Sequence, residues 1–200
     1  MLSPPLSLRR PWHASGPRTR RGALPWRPLL LLLALALQAL PHRAARAAEP
    51  SLRDLQVLAR SLGFLEPAPR GLAEIGIVYA AGDSQGEAEA RRIATLFGEG
   101  LRAGNLQLRP ILVPLDRVRD SRAAALLLAR SALPQAPMVA AAVAGRAILT
   151  VATDRAPIEQ GLVAMAIRSE PRVEIVVNRA AAQASGVTFA AAFRMMIQER

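Results

Sequence analysis

What most constrains this chain is that its first 47 residues read as a leader, so that everything after them must fold as one unit without crosslinks. Residues 1–28 carry Arg9, Arg10, Arg18, Arg20, Arg21 and Arg27 and no acid. Leu29 to Leu40 is an almost unbroken apolar run, and Ala45-Arg46-Ala47 follows with small residues at the two positions a signal peptidase reads. Basic start, apolar middle and small-residue exit describe a secretory signal. A retained anchor needs roughly 20 apolar residues, whereas Arg27-Pro28 and Pro41-His42 box this run into 12. The expectation is cleavage after Ala47 and a periplasmic address. Arg20-Arg21 leaves both Sec and twin-arginine export open.

Setting the leader aside changes the charge. The whole chain has 26 basic and 15 acidic residues, net +11, but eight of the arginines and none of the acids lie in residues 1–47. The remainder is only +3, so the basic balance gives no argument for nucleic acid as a partner. His13, His42, Trp12 and Trp26 also fall in the leader, and the sequence has no Cys and no Lys. From residue 48 onward a Ser-His-Asp triad, a Cys nucleophile and a Schiff-base lysine are excluded, as is any His or Cys metal site. No enzyme, cofactor or metal is indicated. With no disulfide available in an oxidising compartment, the apolar core alone must hold the fold, and 153 residues suffice for one domain. The expected organisation is a leader over 1–47, a helix and linker over 48–70, and an α/β domain over 71–200 continuous with that helix.

Ser51 is a good N-cap for a helix whose Leu52, Leu55, Leu58, Ala59 and Leu62 recur at helical spacing, with Gly63 as its stop. Glu74 to Ala80 reads as a buried strand, Ala81 to Gly86 as a turn-rich loop and Glu87 to Ala103 as a long helix. Leu106 to Val113 is a strand with an irregularity at Arg109-Pro110. The middle has two readings. Arg122 to Leu133 is one alanine-rich helix, or Ala123 to Ala129 is a buried strand followed by a helix over Pro134 to Ala144. The βα rhythm favours the second. Ala147 to Thr153 is a strand and Asp154 to Gly161 a loop. Leu162 to Ile167 and Arg172 to Val177 are strands joined by the turn Arg168-Ser169-Glu170-Pro171. Along the second of these, Val173, Ile175 and Val177 share one face and Glu174 and Val176 the other. A last helix over Val187 to Ile197 carries Phe189, Phe193, Met196 and Ile197 inward, with Met195 exposed. The sum is an α/β fold: a mainly parallel sheet flanked by helices, with a C-terminal hairpin and final helices.

Ile148-Leu149-Thr150-Val151, Gln160-Gly161, Val173 to Asn178, Ala180-Ala181-Ala182 and Ser185-Gly186-Val187 follow one another in order. That succession resembles the YfiR-like proteins, small exported regulators. The helix at Leu52 to Phe64 and the strand at Ile75 to Tyr79 also sit where that family has theirs. The resemblance implies a non-catalytic periplasmic inhibitor. Its implied partners are the outer part of a membrane-bound signalling enzyme, such as a diguanylate cyclase, and a second copy of the chain in a homodimer.

Two loops are candidate sites. Asp83 and Ser84 follow the first strand, where open α/β sheets bind ligands near helix N-termini; their plainer role is to cap the next helix. Thr153, Asp154 and Arg155 sit at the same predicted edge, where Arg155 would hold a carboxylate or phosphate; their plainer role is a polar turn. Gly82 to Gly86 is not a P-loop, lacking the Lys-Ser/Thr ending. The alternative to a regulator is a single-lobe solute-binding component of a transporter. Arg91, Arg92, Arg117, Arg119 and Arg122 alternate with Glu87, Glu89, Asp116 and Asp120, as on a solvated face.

Overall fold

Apolar alternation and helical stripes assemble into one eight-stranded sheet with helices on both faces. The computed structural model describes residues 49–199, so the leader expected over residues 1–47 lies outside the described residues. In chain order the elements are α1 (Leu52–Leu62), β1 (Gly71–Tyr79), α2 (Ser84–Thr95), β2 (Leu101–Ala103) and β3 (Leu106–Pro114). A 3-10 turn (Leu115–Asp120), β4 (Ala125–Leu128) and a second 3-10 turn (Arg130–Gln135) lead into α3 (Ala136–Val143) and β5 (Leu149–Ala152). Then come α4 (Ala156–Glu159), β6 (Met165–Arg168), β7 (Glu174–Val177), α5 (Arg179–Ala184), α6 (Ala191–Arg194) and β8 (Gln198–Glu199).

The strand order is β2-β3-β1-β4-β5-β6-β7-β8. From β3 through β6 every pair is parallel; β2 runs against β3, β7 runs against β6, and β8 is parallel to β7. The chain steps from β1 to β3 on one side and then returns to add β4, β5 and β6 on the other. Strands buried on both faces read as continuous apolar runs, and Ala-Leu-Leu-Leu at β4 is buried at all four positions. The second reading of the middle segment is therefore the one realised.

Two apolar layers result. Leu55, Leu58 and Leu62 of α1, Ile93 of α2, and Phe189 and Phe193 pack on the face carrying Ile75, Ile77, Leu127, Val151 and Val177. Val139 and Val143 of α3 and Ile158 of α4 pack on the face carrying Val78, Leu126, Leu128, Ala166 and Val176. The start of α1 is fixed by a capping box between Ser51 and Asp54. Asp54 also accepts from the backbone N–H of Ser169 at 2.7 Å, tying α1 to the β6–β7 turn.

Several expectations need correction. The helix expected over Glu87 to Ala103 ends at Thr95. Gly98 and Gly100 take positive φ, and Leu101 to Ala103 turns back as β2 through Gly104-Asn105. The loop expected over Asp154 to Gly161 holds the one-turn helix α4. The last helix is only Ala191–Arg194, because the chain then extends to pair Gln198 and Glu199 with Val176 and Val177. Met196, expected inward, is 66% exposed as a consequence, while Met195 is exposed as expected at 87%. In the hairpin, Ile175 and Val177 share one layer and Val176 lies in the other. Val173 precedes the strand and is 50% exposed, outside the inward set. No helix among the described residues is long and apolar enough to cross a membrane.

Candidate functional site

The strand order puts a topological switch between β1 and β4, and ligands of open α/β sheets lie outside the strand carboxyl ends at such a point. Here that crevice is formed by the loop Ala80 to Asp83, the start of α2, and the 3-10 turn after β4. It is filled by the chain itself. Ser131 accepts a hydrogen bond from the backbone N–H of Ala80 at 3.3 Å. Gly86, in the first turn of α2, is buried against the Ser131 side chain so closely that a β-carbon there would collide with it. Beneath them Glu89 is buried, accepting from the Arg130 backbone N–H at 3.1 Å, with the Arg130 Nε 3.8 Å away. Four residues, Gly86, Glu89, Arg130 and Ser131, thus latch α2 to the segment after β4. The sequence reading placed Glu89 on a solvated face, which its burial against Arg130 corrects, and did not connect it with Gly86, Arg130 or Ser131. The one signal of the latch was a carboxylate, Glu89, on the helix face shared by Gly86, Ala90 and Ile93.

Asp83 and Ser84 stand at the outer rim of this latch. Asp83 is the N-cap of α2: it accepts from the Gln85 N–H at 3.0 Å, and its carbonyl starts the helix with the Glu87 N–H at 2.9 Å. Ser84 is the first helical residue and is exposed. Thr153, Asp154 and Arg155 follow β5, on the same edge but with β4 between, so the strands that carry the two loops are two spacings apart, about 10 Å. Asp154 accepts from the Ala156 N–H at 2.9 Å in the turn just ahead of α4, whose N-cap is Arg155. Arg155 reaches across to Glu174 of β7 at 2.7 Å and lies 3.6 Å from Glu159, so its guanidinium is already engaged by carboxylates of this chain. The structure does not bring the Asp83 and Asp154 carboxylates into one cluster. Among the described residues no three acidic side chains are placed to hold a metal ion. Arg91, Arg109 and Arg117 pair with Glu87, Glu74 and Asp120 on the surface.

Two of the residues behind the sequence resemblance, Asn178 and Gly186, make contacts that hold the fold together. Asn178 caps α5 by accepting from the Ala181 N–H at 2.9 Å and donates from Nδ2 to the Ile158 carbonyl at 3.1 Å. One side chain thereby joins α5 to α4 across the sheet edge. Gly186 takes φ 77°, close against the Gly145 to Ala147 turn, which a side chain at Gly186 would press.

Compared with known families, residues 83–195 match the model of the YfiR/HmsC-like proteins. The chain belongs to the YfiR/HmsC-like family. That match runs from the α2 cap through the whole latch and the C-terminal strand pair to Met195. No curated protein sequence matches. Among solved structures, a conserved domain protein from Vibrio cholerae shares 12% identity at a TM-score of 0.50, over 76% of this chain and 60% of that one. The ABC domain from Streptococcus pneumonia, in complex with L-Trp, shares 12% identity at 0.50, over 73% and 60%. A ligand-free, open substrate-binding protein with adhesive properties from Clostridium difficile shares 11% at 0.45, over 74% and 58%. The chain thus spans about 60% of the length of these structures. At such identities the likeness concerns the fold alone.

Proposed function

We propose that this chain is an exported regulator that acts by binding another protein, as an inhibitor of the outer part of a membrane-bound signalling enzyme such as a diguanylate cyclase. In this reading the leader is cleaved after Ala47, the protein works in the periplasm without catalysis, and it self-associates as a homodimer. The observation that carries the reading is the family match across Asp83 to Met195, on a fold whose switch-point crevice is occupied by Ser131 and its neighbours. A crevice filled by the chain's own side chains favours contact at the surface over capture of a solute at that point.

The test is to express the chain together with a membrane diguanylate cyclase from the same genome and to follow cyclic di-GMP. Expected are a fall in cyclic di-GMP and co-purification of the two proteins. Unchanged output with no co-purification would overturn the reading. A second reading, a single-lobe solute-binding component, is favoured by the fold likeness to the L-Trp-bound domain. It would place the ligand at the edge carrying Asp83, Ser84, Thr153, Asp154 and Arg155. A thermal shift with one common solute, abolished by Asp83→Ala or Asp154→Ala, would decide for it; such a shift is worth about 2.7 kcal/mol at a hundredfold excess over Kd.

A further inference from the structure

Strand β3 is nine residues long, and β1 covers it fully on one side, from Gly71 opposite Leu106 to Tyr79 opposite Pro114. On its other side β2 covers only Leu106 to Leu108. From Arg109 to Pro114 the outer edge of β3 has no strand beside it among the described residues. Such an edge is a template for strand addition by another chain.

Which backbone groups face that edge follows from the ladder. The Gly71 N–H donates to the Asn105 carbonyl at 3.2 Å, so Gly71 faces β3, and its parallel partners there are the groups of Asn105 and Gln107. Backbone groups alternate sides along a strand. Gln107, Arg109, Ile111 and Val113 therefore turn their N–H groups toward β1, and Leu106, Leu108, Pro110, Leu112 and Pro114 turn theirs outward. The antiparallel pairing of Leu106 with Ala103 and Leu108 with Leu101 agrees with this phase. Beyond β2 there are three outward positions, and two of them are prolines. A proline has no N–H to give. Only Leu112 is left as a donor on the free edge.

We infer that Pro110 and Pro114 close the outer edge of β3 to strand addition, so that neither a second copy of this chain nor a partner's strand extends the sheet there. Proline in a strand is confined to edges where its nitrogen faces away from the ladder, and here both fall in the outward phase while none falls in the inward one. The inference stands independently of the proposed regulatory role.

The test has two arms. In the first, Pro110→Thr and Pro114→Val together restore both donors. The double variant is expected at least to double its light-scattering mass relative to the native chain as concentration is raised. Adding Leu112→Lys, a charge on the restored edge, is expected to reverse the gain. A double variant of native fold by circular dichroism and native mass at every concentration would overturn the inference. In the second arm, which needs no variant, amide exchange of the native chain is followed by NMR. The Leu112 N–H is expected to exchange roughly a hundredfold faster than those of Ile111 and Val113. Equal protection of Leu112, or protection that grows with concentration, would mean that a strand does pair there and would overturn the inference whatever the variants do.

Discussion

The hydroxyl of Ser131 occupies the space that a β-carbon on Gly86 would fill. One residue follows β4 and the other opens α2, so their contact closes the crevice that the strand order would otherwise leave between β1 and β4. Closeness of this kind demands glycine for steric reasons alone, since the φ of Gly86 is not positive.

Gly86→Ala should therefore destabilise the fold by about 1–3 kcal/mol, the usual cost of overpacking a tight contact. In a Ser131→Gly background, which has its own cost because the Ala80 N–H loses its acceptor, Gly86→Ala should cost much less, since the atoms the new methyl would meet are gone. Urea denaturation of the four members of the cycle measures the coupling. Additive losses would show that Gly86 is required for another reason.

The β6–β7 pairing makes a prediction about phase. Val177 is 1% exposed and packs with Ile175, whereas Val173 is half exposed ahead of the strand. Val177→Asp places an unpaired carboxylate in the core and should cost more than about 3 kcal/mol, enough to collapse soluble yield. Val173→Asp should lie within about 0.5 kcal/mol of the native chain. Comparable losses at both positions would show that the strand begins earlier than Glu174.

Much of this arrangement was legible in the residues. The parallel strands betrayed themselves as short apolar runs, such as Ile75 to Tyr79 and Ala125 to Leu128, and Asn178 and Ser51 are caps recognisable by type. What escaped the sequence depended on partners far along the chain. Leu101 to Ala103 carries a pattern that suits a helix end as well as a strand, and only the unpaired outer side of Leu106 and Leu108 decides for β2. Met196 follows helical spacing from Phe193, but the pairing of Gln198 with Val176 pulls the chain out of the helix before that spacing can be used. The latch was hidden for the same reason: nothing local to Ser131 says that Gly86 will lie against it.

Asp54 is a further long-range link. It accepts from the Ser51 N–H at 2.8 Å and hydroxyl at 2.7 Å, and from the N–H of Ser169, a residue 1% exposed. Asp54→Ala removes the cap's reciprocal bond and leaves the buried Ser169 N–H without its acceptor. The expected cost is about 2 kcal/mol. Asp54→Asn keeps an acceptor oxygen and should lose about half as much, while Asp116→Ala, at an exposed position, should change stability by less than about 0.5 kcal/mol. Chemical denaturation compares the three. Equal effects at Asp54 and Asp116 would mean that the tie between α1 and the β6–β7 turn adds nothing to stability.

Ala147 is the one non-glycine described with positive φ, at 55°. It sits in the turn between α3 and β5, where its N–H donates to the Ser185 carbonyl at 2.7 Å and the Gly145 N–H donates to the Ala184 carbonyl at 2.8 Å. These two bonds dock the turn on the end of α5, and the first of them fixes the backbone of Ala147 where a β-carbon is unfavourable. A left-handed alanine costs about 1–2 kcal/mol, and glycine's greater freedom in the unfolded chain returns about 0.5–1 kcal/mol of that. Ala147→Gly should accordingly raise stability by about 0.5 kcal/mol, and Ala147→Val should lower it by more than about 1 kcal/mol, since a β-branched residue tolerates this region least. Thermal melts of the two variants beside the native chain decide. A lower Tm for Ala147→Gly would show that the docked turn does not hold this residue in the left-handed region.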